Sequence, residues 1–132
     1  MAITDEYLIN AAKDARDNAY SHYSGYAVGA AIIDDQGHLH AGVNVENGAY
    51  PLGNCAEAAA IAAMVLEGGK NIVCIAIAGG KGEIAPCVPC GGCRQRIHEF
   101  ANEDTVILTM NDSHDWQRYS IAELLPAGFR LD

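Results

Sequence analysis

Two nearly continuous apolar segments constrain the fold of this chain more than any other feature. Residues 72–78 and 105–110 are rich in Ile, Val and Ala and lack the polar alternation of a half-exposed strand. Runs of this kind are typical of strands that are buried on both faces of a sheet. Because such a sheet needs helices on both sides, the sequence predicts a three-layer α/β/α arrangement.

The rest of the chain supplies the helices and the remaining strands. Apolar residues at three- and four-residue spacing predict an amphipathic helix over residues 4–20, with Thr4 as its N-cap. A hairpin, an Ala-rich buried helix, a second helix and a short C-terminal helix complete the order; their predicted ranges are 26–34 with 38–45, 55–66, 91–100 and 120–126. We expect Asn54 to cap the Ala-rich helix.

Length and charge exclude several classes of protein. A chain of 132 residues predicts a single domain over 1–132. The net charge of −9 disfavours DNA or RNA polymers as partners, because their affinity comes mostly from Lys and Arg. No apolar run reaches the roughly 20 residues that cross a bilayer. Five cysteines and no secretory signal predict neither a disulfide framework nor export, and we expect a reducing cytoplasmic location.

Three cysteines form the strongest chemical pattern. Cys55 stands at the start of one predicted helix, and Cys90 and Cys93 stand at the start of another. Residues three apart share one face of a helical turn, so Cys90 and Cys93 can bind one metal ion. Zinc prefers soft donors in a tetrahedral array, and catalytic zinc sites keep three protein ligands and one open position. The pattern predicts Zn²⁺ held by these three thiolates.

Glu57 gives this site its predicted chemistry. It lies two residues from Cys55, about 200° around a helix, so the two side chains reach one site only beyond the helix N-terminus. There Glu57 stays a free carboxylate and not a ligand. Zinc lowers the pKa of its bound water to about 7, and Glu57 accepts the proton as the hydroxide attacks an electrophilic carbon. Glu57 can then pass the proton to a ring nitrogen and a leaving amine, which predicts hydrolytic deamination.

Several motifs, in order, make the chain similar to the homotetrameric zinc-dependent cytidine deaminases over nearly its whole length. They are Tyr23-Ser24 with Tyr26-Ala27-Val28-Gly29, Asn44-Val45-Glu46-Asn47, Cys55-Ala56-Glu57, Pro89-Cys90-Gly91-Gly92-Cys93-Arg94-Gln95, and Glu123-Leu124-Leu125-Pro126 with Phe129. The resemblance implies a cytidine-deaminase-like α/β/α fold with a central mixed sheet of about five strands. It also implies deamination of free cytidine and 2′-deoxycytidine to uridine and 2′-deoxyuridine with release of ammonia, in pyrimidine salvage.

The resemblance further implies roles for residues around the zinc site. Tyr26 would line the nucleoside pocket, and backbone groups near Ala56 and Cys90 would contact the base. Asn44 and Glu46 would bind the sugar hydroxyls, and Phe129 would reach the active site of a neighbouring subunit in a homotetramer. A substrate without the sugar would leave the Glu46 carboxylate buried and unpaired, so a free base should be a poor substrate.

The chain departs from the family pattern at three places. Ala58 follows Glu57, where the family most often has an Arg that hydrogen-bonds the zinc thiolates. Loss of that cation should raise the pKa of the bound water, and we expect Arg94 to support the thiolates in its place. Gly48-Ala49 and Tyr26 replace the usual Ala followed by Cys or Ser and the usual Phe, so the base specificity stays open.

Three other interpretations remain. The enzyme could deaminate a modified pyrimidine nucleoside or an aminonucleoside antibiotic. The chain could be a structural zinc module, because Cys87 is three residues before Cys90 and could close a four-cysteine site. The Cys-x-x-Cys spacing is also found in thiol redox proteins.

Overall fold

Five strands form one mixed sheet in the computed structural model, which describes residues 3–131. The strands lie in the order β2-β1-β3-β4-β5; β3 and β4 are parallel and the other neighbours are antiparallel. In chain order the elements are α1 (Asp5–Arg16), β1 (Tyr26–Asp34), β2 (Leu39–Val43), a 3₁₀ turn (Tyr50–Leu52), α2 (Ala56–Leu66), β3 (Ile72–Lys81), α3 (Gly91–Glu99), β4 (Val106–Met110), β5 (Trp116–Ser120) and α4 (Ile121–Leu124).

Helices cover both faces of the sheet, which confirms the predicted three-layer α/β/α fold. On one face α1 buries Leu8 and Ala12 in a core that also contains Ala76 and Leu108 of the central strands. On the other face α2, α3 and α4 share a second core with the sheet, built from residues such as Ala60, Met64, Ile97, Leu124, Ile32, Ile75 and Ile107. The two strands that were predicted to be buried on both faces, at residues 72–78 and 105–110, correspond to β3 and β4.

Two glycines allow helices to lie unusually close to the sheet. A Cβ atom at Gly42 of β2 would lie 2.3 Å from the backbone nitrogen of Ala60 in α2. A Cβ atom at Gly29 of β1 would lie 2.2 Å from the carbonyl oxygen of Ala12 in α1. Real side chains cannot tolerate such contacts, so the close approach of α2, which carries Glu57 into the functional site, requires glycine at position 42.

Strand β2 and helix α4 end two residues earlier than predicted, at Val43 and Leu124, and the structure differs from the sequence expectations in three other respects. The first helix ends at Arg16 and not at residue 20. Strand β5 was not predicted, because this edge strand carries exposed polar residues and no apolar run. The N-cap of α2 is Cys55 and not Asn54, because Asn54 pairs with Val45 through two backbone hydrogen bonds of 2.9 Å. Because of this pairing, α2 begins one residue later than predicted. Cys55 is therefore the residue that precedes the helix, and its thiol lies at the helix N-terminus.

None of the helices in residues 3–131 combines the length and the apolar character that a membrane crossing requires.

Candidate metal and active site

Three cysteine thiols meet where the N-termini of α2 and α3 come together. Cys55 is the N-cap residue of α2, Cys90 is the N-cap residue of α3, and Cys93 lies in the first turn of α3. Their Sγ atoms all lie within 4.8 Å of one another. Three sulfurs at the usual Zn–S distance of about 2.3 Å are about 3.8 Å apart in a tetrahedral site. The three thiols predicted to bind zinc therefore lie together.

The donor set fits zinc with one open coordination position. Among the described residues, the cluster contains these three thiols and no fourth cysteine, histidine or carboxylate. Cys87 lies outside it, because the Cys87 sulfur packs over Gly79, next to the Tyr26 ring. This arrangement is that of a catalytic zinc site and not of a closed four-cysteine structural site.

The environment of the thiols makes their ionisation unequal. Burial raises the pKa of Cys93, which is fully buried, and also raises the pKa of Cys55. The backbone N–H of Cys93, together with that of Gly92, lowers the pKa of Cys90. Each thiol that binds the metal loses its proton, so zinc binding here releases protons and strengthens as the pH rises.

Glu57 places a buried carboxyl group beside the thiol cluster. It lies in the first turn of α2, its side chain lines the same cavity as Cys55 and Cys90, and it is 6% exposed. Burial raises the pKa of Glu57. A carboxylate with a raised pKa is a stronger base than an exposed one, and a pKa nearer to neutral suits a group that must take up a proton and then give it away.

A cavity of about 460 Å³ opens in front of this site. Its lining includes Cys55, Ala56 and Glu57 of the α2 end, Tyr26 and Val28 of β1, and Asn44, Glu46, Cys87 and Cys90. Ligand pockets for small molecules commonly fall between about 300 and 1,000 Å³. Burial raises the pKa of Tyr26 to about 12, with a further contribution from Cys87, so the Tyr26 hydroxyl remains protonated at neutral pH.

The predicted sugar-binding side chains lie in this cavity and are also bonded to the backbone. Asn44 accepts a hydrogen bond of 2.9 Å from the Val28 nitrogen and donates one of 2.8 Å to the Tyr26 carbonyl oxygen. Both groups keep capacity for a further partner, because an amide has two N–H hydrogens and its oxygen has two lone pairs. The Asn44 amide is thus held in one orientation at the cavity wall.

Glu46 is held in a similar way by the turn before β1. Its Oε1 accepts hydrogen bonds of 2.9 Å from the Tyr23 nitrogen and 3.0 Å from the Ser24 nitrogen, and the Ser24 hydroxyl donates to Oε2. These bonds, the Ser24 hydroxyl foremost, lower the pKa of Glu46. Glu46 is therefore ionised at neutral pH. No pattern in the sequence indicates this holding role of Tyr23 and Ser24.

The arginine next to the thiols is Arg96 and not Arg94. Arg94 donates hydrogen bonds of 2.7 Å to the Pro89 carbonyl and 2.9 Å to the Leu124 carbonyl. One residue along a helix turns the side chain by about 100°, so Arg94 points away from Cys93 toward α4. Arg96 follows Cys93 by three residues, on the same face, and its Nη1 lies 3.5 Å from the Cys93 sulfur. That spacing was the signal in the sequence that could have identified it.

Phe129 and Cys74 lie away from the cavity. Phe129 is 68% exposed, does not line the cavity, and is anchored by its carbonyl oxygen, which accepts a 2.8 Å hydrogen bond from Gln95. Cys74 is buried in β3 within the core under α1, and burial raises its pKa to about 12.

Comparison with known proteins identifies the family of this chain. Residues 2–109 match the profile of the cytidine and deoxycytidylate deaminase zinc-binding region. The chain belongs to this family. Family membership and the cluster of three thiols together establish Zn²⁺ as the cofactor.

Individual members of the deaminase family match nearly the whole chain. A cytidine deaminase of Halalkalibacterium halodurans is 39% identical over 127 residues, which cover 96% of this chain and 95% of that protein. A cytidine deaminase of Sporosarcina psychrophila is 38% identical, covering 94% and 90% of the two chains. The crystal structure of a cytidine deaminase from Burkholderia pseudomallei superposes with a TM-score of 0.86 at 38% identity, covering 96% and 99%. These matches establish the fold as that of a hydrolytic zinc deaminase.

The separation of the five thiols leads to a prediction about zinc content. Replacing Cys55, Cys90 or Cys93 with Ser should reduce bound zinc well below one ion per chain, because each variant removes a soft ligand. Cys87→Ser and Cys74→Ser should keep full zinc, because these thiols lie outside the cluster. Elemental analysis of the purified variants measures the outcome. Zinc loss from Cys87→Ser equal to that from Cys90→Ser would contradict this ligand set.

Proposed function

We propose that this protein deaminates free cytidine and 2′-deoxycytidine by hydrolysis, giving uridine, 2′-deoxyuridine and ammonia. One observation carries the proposal: three thiols that fit zinc lie within 4.8 Å of one another, at a cavity whose wall also contains the buried carboxyl group of Glu57. The cavity has the size of a small-molecule site. The cytidine deaminases that match the chain support cytidine as the substrate.

The proposed mechanism assigns the proton transfers to Glu57. Cys55, Cys90 and Cys93 would hold a Zn²⁺ ion, and this ion would supply the Lewis acid that makes a water molecule acidic enough to lose a proton near neutral pH. Glu57 accepts this proton while the water oxygen attacks C4 of the pyrimidine ring, and then donates it to the ring nitrogen N3. A second proton, given up by the new hydroxyl group on C4, passes through Glu57 to the exocyclic amine, and the bond between C4 and this amine breaks to release ammonia and form the C4 carbonyl. The backbone near Ala56 holds the base against the site.

The role of Glu57 can be tested by exchanging its carboxyl group for an amide. Glu57→Gln should lower kcat for cytidine by at least about 100-fold, which is the usual contribution of a general acid–base group. Zinc content should not change, because Glu57 is not a ligand. Loss of cytidine absorbance measures the rate, and elemental analysis measures the metal.

Glu67→Gln provides a matched control for that variant. Glu67 caps the other end of α2 and is exposed, so this change should leave the rate unchanged. Failure of the wild-type enzyme to consume cytidine would contradict the substrate, whereas a fully active Glu57→Gln variant would contradict the mechanism.

We propose that Asn44 and Glu46 bind the sugar hydroxyls of the nucleoside. Both side chains line the cavity and are fixed by hydrogen bonds to the backbone, so their free acceptor and donor groups are already oriented. The Glu46 carboxylate is not buried as the sequence suggested: it is partly exposed and accepts three hydrogen bonds from residues 23 and 24. Discrimination against a free base would therefore come from the hydrogen bond that a sugar hydroxyl adds, and not from leaving a buried carboxylate unpaired.

Sugar recognition predicts a difference between cytidine and cytosine. Wild-type kcat/KM should be far higher for cytidine, and Glu46→Gln should lower kcat/KM for cytidine by about 10-fold or more, the size expected for a hydrogen bond to a charged group. The rate with cytosine should change little. Ser24→Ala, which removes one bond to Glu46 but keeps the carboxylate, is the control and should lose less. Equal kcat/KM values for cytosine and cytidine would exclude this role.

We propose that four copies of the chain assemble, and that each cavity is completed by Phe129 of a neighbouring copy. Phe129 is 68% exposed and absent from the cavity of its own chain, and Tyr50, Leu52 and Leu66 are 76%, 72% and 84% exposed. Large exposed apolar side chains of this kind favour burial between subunits.

Five free thiols, three of them in the zinc cluster, support a reducing compartment such as the cytoplasm, where the reaction would serve pyrimidine salvage.

Shared sites predict complementation between two weakly active variants. Phe129→Ala alone should lower kcat/KM, because its sites keep Glu57 but lack the ring. When Phe129→Ala and Glu57→Gln chains are co-expressed, some sites combine an intact Glu57 with a Phe129 from the other chain. Activity per zinc should then exceed the average of the two parent variants, and sedimentation should give the mass of a tetramer. A mixture no more active than the average of its parents would contradict sharing.

A further inference from the structure

We propose that Arg96 is the positioning residue of the zinc site, holding the Cys93 thiolate through a charged N–H···S contact and offsetting the negative charge of the cluster. The inference rests on the zinc site and on no particular substrate. Arg96 lies just outside the segment from Pro89 to Gln95 that resembles the deaminase family.

The contact between Arg96 and Cys93 is built into α3. Arg96 Nη1 lies 3.5 Å from the Cys93 sulfur, one helical turn along the same face. Cys93 is fully buried, so its sulfur has few alternative donors. Arginine offers several N–H groups and keeps its charge at any pH the protein meets, which suits a permanent partner for a thiolate.

Gly92 provides the space in which the Arg96 guanidinium lies. A Cβ atom at position 92 would lie 3.3 Å from Arg96 Nη1 and 3.9 Å from the Cys90 sulfur. The guanidinium therefore lies over Gly92 in the first turn of α3, beside the Cys93 thiol. A side chain at position 92 would crowd this path.

The charges around the cluster favour a nearby cation. Three thiolates and the nearby Glu57 carboxylate outnumber the charge of one Zn²⁺, and Glu57 is buried. Within residues 3–131, Arg96 is the basic residue that has a hydrogen-bond contact with a cluster thiol. Arg94 bonds the Pro89 and Leu124 carbonyls instead, so it does not compete for this role. Arg96 thus supplies the charge that the first turns of α2 and α3 supply only in part.

The experiment measures how firmly the zinc-loaded protein holds its metal. Zinc release into an excess of chromogenic chelator should be about 10-fold faster or more in Arg96→Ala than in wild type, the usual effect of removing a group that supports a metal ligand. The cobalt-substituted variant should show a shifted sulfur-to-metal charge-transfer band, because the thiolate has lost its hydrogen bond. With cytidine, kcat should fall and KM should change little.

Three further variants separate charge from packing. Arg96→Lys keeps the charge and should release zinc at an intermediate rate. Ala58 follows Cys55 by three residues, the spacing that places Arg96 near Cys93, so adding Ala58→Arg to Arg96→Ala should slow release again. Arg118→Ala is the control, because Arg118 forms an exposed ion pair with Asp5.

Two results would overturn the proposal. One is zinc release and a cobalt spectrum in Arg96→Ala that equal those of wild type. The other is release from Arg96→Lys and from the double variant that is as fast as from Arg96→Ala, which would assign the loss to packing. Arg96 is exposed on its outer side, so these variants should fold. Because zinc release and the cobalt band need no nucleoside, failure of the proposed deamination would leave this test intact.

Discussion

The rest of the structure depends on one geometric constraint, the meeting of two helix N-termini at one edge of the sheet. α2 leads through a short turn into β3, so its C-terminus lies where β3 begins and its N-terminus lies where β3 ends. α3 starts after β3 and crosses to the parallel strand β4, so its N-terminus lies at that same edge. Cys55, Cys90 and Cys93 are therefore brought together by the connections of the sheet, and not by a loop that folds around a metal.

This constraint also decides the electrostatics of the site. Two helix N-termini direct partial positive charge at the cluster, which favours thiolates and a metal that needs them deprotonated. The same apolar packing that fixes α2 buries Glu57 and raises its pKa. The fold thus places a carboxyl group suited to proton transfer beside a site suited to a Lewis acid. The apolar residues of the second core lie beside this carboxyl group and lower the dielectric constant around it.

Sequence patterns predicted the structural features that depend on burial and on residue spacing. They missed the features that depend on side-chain direction or on backbone pairing. The apolar runs predicted β3 and β4, and their lack of alternation predicted helices on both faces. The polar edge strand β5 carries no such signal, because its backbone pairing with β4 and not its side chains defines it. The zinc ligands followed from their spacing, whereas the expectation that Arg94 supports the thiolates ignored the 100° that separates Arg94 from Cys93 on the helix. The prediction that Asn54 caps α2 was wrong because the backbone of Asn54 is hydrogen-bonded to that of Val45.

The proposed sugar contacts show how one residue serves fold and function together. Asn44 ties the end of β2 to the backbone of β1, and Glu46 ties the following loop to the turn at Ser24. Each of these two side chains uses some of its donors and acceptors to bond the protein backbone, and its remaining ones face the cavity. A group fixed in this way loses little conformational entropy when a ligand binds, so the nucleoside would meet a site whose polar atoms need not rearrange. It follows that loosening the turn before β1 should weaken binding of the sugar without touching the zinc cluster, because the two halves of the cavity are held by different elements.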